Sequence, residues 1–143
     1  MLFSQPIAWL PPDMAVKTLM DMRRSPPGFL HLAHPRPVRW SDIARYTSEA
    51  LGLPIVSYSD WLELLEHNLH VRNNNPASRL IDFFRMSSMD ADDHKEVMGL
   101  PRLELVRAQK ISHTLNDENL RQIGRDDVER WLAHWRDIKF LPS

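Results

Sequence analysis

The chain has 143 residues, the length of one ordinary domain, of which 43% are hydrophobic and 26% charged, enough apolar material for a core and too much for wholesale disorder. Its 18 Lys and Arg against 19 Asp and Glu leave a net charge of −1, so nothing in the charge asks for a nucleic-acid partner. There is no cysteine, which excludes disulfides, thiolate zinc sites, iron–sulfur clusters and a cysteine nucleophile.

Residues 1–12 read as an extended lead-in. Pro11-Pro12 then precede a helix over 13–24, with Met14, Leu19 and Met22 on its inner side, Val16 and Met20 at the edge, and Pro26-Pro27-Gly28 stopping it. Phe29 to Ala33 reads as a short strand, closed by Pro35-Arg36-Pro37. Ser41 is the expected N-cap of a helix over 41–51 that Gly52 ends, with Ile43, Thr47, Ala50 and Leu51 inward. A second short strand is expected over Pro54–Tyr58. A capping box of Asp60 and Glu63 opens a helix over 60–70, with Trp61, Leu64, Leu65 and Asn68 on one stripe.

The second half reads as helical. Asn75 before Pro76 is a start signal for a helix over 76–85 that carries Leu80, Ile81, Phe83 and Phe84 at core spacing. Residues 86–95, with Asp90, Asp92 and Asp93, read as a polar loop, and 102–111 fits helix or strand. The last helix, over 126–138, is capped by Asp126 with Glu129. Val128, Trp131, Leu132, Trp135 and Ile138 repeat on its inner face, so Trp131, Leu132 and Trp135 are expected to be buried. The fold class is thus a mostly helical α/β fragment. Its two short strands come from an incomplete Rossmann-like sheet, beside a helical substrate-side subdomain. The expected division is 1–72 for the α/β part and 73–143 for the helical part. Two short strands cannot cover their own faces and edges, so the chain reads as lacking strands, and self-association through Phe29, Leu30, Leu32, Ile55 and Val56 is expected.

The chemical motifs are mostly negative. Gly28, Gly52, Gly99 and Gly124 are too far apart for a GxGxxG or P-loop cradle. No serine has the flanking glycines of a nucleophile elbow, and neither Tyr46 nor Tyr58 is followed four residues later by lysine. His31 and His34 point to opposite faces of an extended segment, His67 and His70 have no third ligand in reach, and there is no HExxH, so no metal site is expected. The Asp90-x-Asp92-Asp93 run lacks the glycine and the final acid of a calcium loop. Arg36, Arg39 and Arg45 form a slight positive excess, read as solvated surface rather than an anion site. No apolar run approaches the roughly 20 residues of a membrane span, and Met1–Leu10, interrupted by Pro6, does not read as a signal peptide. The cytoplasm is the expected location.

Several segments together resemble a known family. They are Trp9-Leu10-Pro11-Pro12-Asp13, the run His31-Leu32-Ala33-His34-Pro35-Arg36-Pro37-Val38-Arg39-Trp40, the run Leu51 to Trp61, Asn75-Pro76-Ala77 before Leu80 to Phe84, Asp126-Asp127-Val128, and Trp131 with Trp135-Arg136. In this order they resemble the late part of the thioester reductase domain of fungal adenylation–reductase enzymes that are like nonribosomal peptide synthetases, close to carboxylic acid reductases. The resemblance implies an extended short-chain dehydrogenase/reductase fold whose upstream Rossmann part binds NADPH. It implies a carrier-protein domain that delivers the acyl group on phosphopantetheine. This sequence departs from the family pattern in having neither the glycine fingerprint nor Tyr-x-x-x-Lys, so no catalytic, cofactor-binding or metal residue is carried over. The expected function is the C-terminal, substrate-side fragment of an NADPH-dependent thioester reductase, inactive alone. The alternative is a small non-enzymatic helical protein-interaction module derived from it.

Overall fold

The computed structural model describes residues 5–68, 76–86 and 95–141. The expected N-cap Asn75, the acidic run Asp90–Asp93, His70 and the side chain of Asn68 lie outside the described residues. The chain is mostly helical with two short strands, as the sequence predicts. In chain order come β1 (Pro6–Ile7), α1 (Pro12–Met22), β2 (Val38–Arg39), α2 (Trp40–Leu51), α3 (Tyr58–Asn68), a 3-10 turn (Pro76–Leu80), α4 (Ile81–Met86), a 3-10 turn (Val97–Gly99), α5 (Val106–Ile111), α6 (His113–Asn116) and α7 (Arg125–Asp137).

The strands lie elsewhere than expected. The lead-in β1 pairs antiparallel with β2, Pro6 opposite Arg39 and Ile7 opposite Val38. Trp40 N–H bonds the Gln5 carbonyl at 3.1 Å and His34 N–H bonds the Ala8 carbonyl at 2.8 Å, so the pairing frays into single bonds at both ends. Residues 29–33 and 54–57 run without a ladder. Phe29 is 94% exposed, with no second strand beside it to reward pairing. Pro54, like Pro35 and Pro37, has no N–H to give a ladder.

Helix starts differ from expectation in a common way. Arg39, not Ser41, stands at the N-cap of α2. Ser57, not Asp60, closes the start of α3: its Oγ accepts the Asp60 N–H at 3.1 Å. Gly124 is the N-cap of α7, and Asp127 rather than Glu129 reaches back, accepting the Gly124 N–H at 3.0 Å. In each case the helix begins one to three residues earlier, and at α3 and α7 the side chain that closes the start is a local neighbour other than the one expected, Ser57 and Asp127. The end of α2 follows expectation. Gly52 sits at φ +64° and its N–H caps the Ser48 carbonyl, a left-handed turn that glycine adopts without strain.

Two buried clusters hold the helices. In the first, Ile7, Ile43, Ile123, Val128 and Leu132 join β1, α2 and α7. In the second, Met22, Ala108, Leu115 and Leu120 join α1, α5 and α6. On α1 the inward row is Met14, Thr18 and Met22, each one turn apart; Thr18 is buried and donates to the Met14 carbonyl at 2.8 Å. Leu19 is correspondingly 54% exposed, against expectation, because the row of i+4 spacing, not the hydrophobic count, faces the neighbours. Leu64 of α3 and Ala50 of α2 are exposed for the same reason, while Leu65 and Ile43 are buried. A third, smaller packing unit joins α3 to α4 through Trp61 and Phe84, ring centroids 4.9 Å apart and edge-to-face, and Tyr58 Oη donates to the Phe84 carbonyl at 2.7 Å. The ambiguous stretch 102–111 resolves as extended chain followed by α5.

Polar contacts register the clusters against each other. Asp21 at the end of α1 accepts from Ser112 Oγ at 2.8 Å and from Thr114 N–H at 2.9 Å, so it caps α6 from another helix. Asp127 is buried, and both its oxygens accept from Arg121 Nη1, at 2.9 and 2.8 Å, while Arg130 Nη2 donates to Oδ1 at 2.5 Å. Arg121 also reaches Asp13 at the start of α1, at 3.1 Å. Burial by itself raises the Asp127 carboxyl; the hydrogen bonds from Arg121 and Gly124 outweigh it, and the pKa lies below the usual aspartate value. The Thr114 N–H and then the Ser112 hydroxyl lower that of Asp21. No described helix is long and apolar enough to cross a membrane.

Removing Asp127 leaves the Gly124 N–H and two guanidinium groups without their common acceptor. Asp127→Ala is therefore expected to lower the unfolding free energy by about 2–3 kcal/mol, and Asp127→Asn, whose amide oxygen still accepts from Gly124, by less; urea titration measures both. Because Asp127 and Asp21 both have folded-state pKa values below their unfolded ones, their contribution is complete above about pH 4 and declines as pH falls through the folded values. Thermal unfolding followed from pH 6 to pH 3 is expected to show that loss, and Asp21→Asn to reduce its slope.

Candidate functional site

The α2–α7 packing leaves an open groove of about 560 Å³ on one side. Ile43, Val128 and Leu132, all buried core residues, form its base. Its walls are indole rings: Trp9 from the lead-in after β1, Trp40 from the first turn of α2, and Trp131 and Trp135 from α7. Trp9 stands edge-on to both Trp40 and Trp131, with centroids at 6.0 and 6.4 Å. Leu53, Pro54 and Ile55 also line it, the last two from the segment expected as a strand.

The groove is neutral as well as apolar. None of its lining residues carries a charge. Its hydroxyls are turned to the backbone: Thr47 Oγ donates to the Ile43 carbonyl at 2.9 Å and Ser48 Oγ to the Leu53 carbonyl at 2.5 Å. The charges that join α2 and α7 lie outside the lining. Arg125 pairs with Glu49, and the guanidinium groups of Arg45 and Arg125 lie 4.7 and 4.8 Å from the Tyr46 ring centre. The hydrogen bond from Arg125 pulls the Glu49 carboxyl below its ordinary pKa, so this clamp stays charged at neutral pH. Such a groove suits an uncharged, flat or aliphatic ligand and costs a carboxylate or phosphate its hydration.

The structure divides the expected inner face of α7. Leu132 is buried, Trp131 is half-buried, and Trp135 is 38% exposed, contrary to expectation. The helical spacing puts all three toward α2, but the groove opens beside the last turns, so Trp135 packs edge-on against Phe140 at 6.1 Å rather than into the core. Trp9 and Ile55 carried no site signal in the sequence, since their place in the walls depends on contacts between segments far apart in the chain.

The other candidates disperse. Arg36 donates to the Asp117 and Leu120 carbonyls, Arg45 pairs with Asp42 and Glu49, and Arg39 is exposed. His34 is buried, whereas His31 is exposed and donates from Nδ1 to the Glu104 carbonyl at 2.9 Å. No three His, Asp or Glu side chains among the described residues converge as metal ligands. The glycines do not build a dinucleotide cradle. A Cβ on Gly28 would lie 2.4 Å from the Arg107 guanidinium, the Gly99 N–H bonds the Glu96 carbonyl at 3.1 Å, and the Gly124 N–H is held by Asp127. Among the described residues the glycines therefore offer no backbone cradle for the NADPH pyrophosphate.

Adenylate-forming reductase Nps10 of Heterobasidion annosum is 29% identical over 96% of this chain. The chain is similar to adenylate-forming reductases along nearly its whole length. Nps9 of Serpula lacrymans is also 29% identical, over 90% of the chain, and the non-reducing polyketide synthase SAT8 of Stachybotrys chartarum is 27% identical over 94%. The family likeness read from the motifs therefore stands. The chain spans 14% of the length of the two reductases and 5% of the synthase. No protein-family model matches it, and no solved structure matches it.

Leu132→Ala is expected to cost about 2–4 kcal/mol, as a buried side chain between two helices. Trp135→Ala is expected to cost less, about 1–2 kcal/mol, since Trp135 is partly solvated at the groove edge. Denaturant unfolding of the two variants, followed by far-ultraviolet circular dichroism, separates wall from core.

Proposed function

We propose that the chain is the C-terminal, substrate-side part of an NADPH-dependent thioester reductase, and that the α2–α7 groove holds the apolar portion of the acyl group. The observation that carries this reading is the uncharged, tryptophan-walled groove in a chain similar to adenylate-forming reductases. An acyl group bound as a thioester has lost its carboxylate charge, which is the form a neutral groove accepts. Trp9, Trp131 and Trp135 would bury the acyl chain and exclude water on that side, and the base of Ile43, Val128 and Leu132 would set its depth. Hydride chemistry belongs to a Rossmann part outside these residues, and a carrier domain would present the thioester on its phosphopantetheine arm. Alone, the 143 residues bind no NADPH and reduce nothing.

The test is NADPH oxidation with an acyl thioester loaded on a carrier domain, read by absorbance. The chain is assayed alone and co-expressed with the cofactor-binding part of a related adenylate-forming reductase. Turnover is expected only in combination. Trp135→Ala, which leaves the fold intact, is expected to raise KM a few-fold, as the loss of one aromatic contact of about 0.5–1.5 kcal/mol requires. Turnover by the chain alone would sink the reading. A well-behaved monomer that never complements the cofactor part would favour the interaction module instead.

A further inference from the structure

His34 is 2% exposed, and both of its ring nitrogens are engaged. The backbone N–H of Arg36 donates to Nδ1 at 3.0 Å, and Nε2 lies 3.2 Å from the Arg121 carbonyl. A backbone N–H only donates, so Nδ1 must carry a lone pair. A carbonyl only accepts, so Nε2 must carry the proton. The site therefore admits the neutral ring in one tautomer.

The same few residues strap two distant segments together. His34 N–H bonds the Ala8 carbonyl at 2.8 Å, Arg36 Nη1 and Nη2 donate to the carbonyls of Asp117 and Leu120 at 3.3 and 3.1 Å, and Gln122 Nε2 donates to the Arg36 carbonyl at 2.7 Å. Arg121, whose carbonyl receives the imidazole proton, is the residue whose guanidinium holds Asp127 in α7. We propose that His34 is an acid-sensitive latch: a proton added at Nδ1 sets a donor against the Arg36 N–H, releases residues 117–122 from residues 34–36, and loosens α7 as one wall of the groove.

The charges around the ring favour the neutral state. Arg36 lies on the same segment, and a cavity of about 180 Å³ beside His34 contributes Arg102 and one carboxylate, Glu96. That carboxylate already accepts the Ala8 N–H at 3.2 Å. Around the Arg121 side chain, Asp13 and Asp127 are paired with it, and Arg130 is paired with Asp127. Burial first, and then the Arg36 charge, keep the His34 pKa below the ordinary histidine value, against the pull of the Arg121 carbonyl. A folded-state value below the unfolded one means that the open state binds the proton better. The latch is therefore fully closed above about pH 6.5 and weakens as pH falls toward the folded-state value. This inference does not depend on what the groove binds.

Hydrogen exchange read by NMR tests it on the whole chain between pH 7.5 and pH 5.5, together with titration of the His34 ring proton. Protection of the Arg36 and Leu120 amides, corrected for intrinsic exchange, is expected to fall by up to about tenfold per pH unit below about 6.5, while amides within α2 hold. His34→Asn keeps an acceptor for the Arg36 N–H, does not titrate, and is expected to make protection independent of pH. Flat protection in the wild-type chain, with His34 titrating at its ordinary value, overturns the proposal. An unchanged pH dependence in His34→Asn overturns it too. Should that variant fail to fold, the wild-type profile decides alone.

Discussion

One carboxylate sets the position of the last helix, and much else follows from where that helix lies. Asp127 is buried at the start of α7, where a charge persists only if its oxygens are satisfied. Arg121, Arg130 and the Gly124 N–H satisfy them. Because Arg121 also pairs with Asp13, the start of α1 and the start of α7 are held by one guanidinium. The geometry thus brings together chain positions more than 100 residues apart. The apolar clusters supply the larger free energy, but they are non-directional; the ion cluster is what specifies register.

Once α7 is registered, the groove is a consequence of shape. Val128 and Leu132 meet Ile43 of α2, and beside that contact four indoles and Ile55 line a space rather than fill it. An apolar surface left open in this way is costly unless something covers it. The neutral lining and the likeness to adenylate-forming reductases converge on an uncharged acyl group as the occupant proposed above.

The segment His34–Arg36 plays a related part on the other side of Arg121. It satisfies the carbonyls of Asp117, Leu120 and Arg121 in the stretch that leads to α7, outside any helix or ladder. That is work a loop must do whenever its carbonyls are drawn toward a core. Doing it with an imidazole makes the contact dependent on protonation, where an asparagine would not. At the end of 29–34, His34 makes single bonds instead of a ladder, its backbone N–H to the Ala8 carbonyl and its ring to that of Arg121.

Much of the local structure was legible in the sequence. The helices near 13–24, 41–51 and 126–138 appear within one or two residues, since apolar spacing, prolines and Gly52 act through neighbours along the chain. The family likeness was legible too, from short motifs in a fixed order. The strands were not: Phe29–Ala33 and Pro54–Tyr58 have strand composition, but a ladder needs a partner, and the partner found by Val38–Arg39 is the lead-in Pro6–Ile7. Nor was the site. Trp135 sits at a core-like helical position yet lines an open wall, and Trp9 joins it from the other end of the chain. Asp127 stands in the sequence only as the middle of Asp126-Asp127-Val128, beside an expected cap of Asp126 with Glu129, and only the approach of Arg121 and Arg130 makes it the anchor of α7. Composition and periodicity decide which backbone segments are helical and which face is apolar, because those depend on nearby residues. Which apolar face is covered, and which charge is buried, depends on segments a hundred residues apart, and only the packed chain decides that.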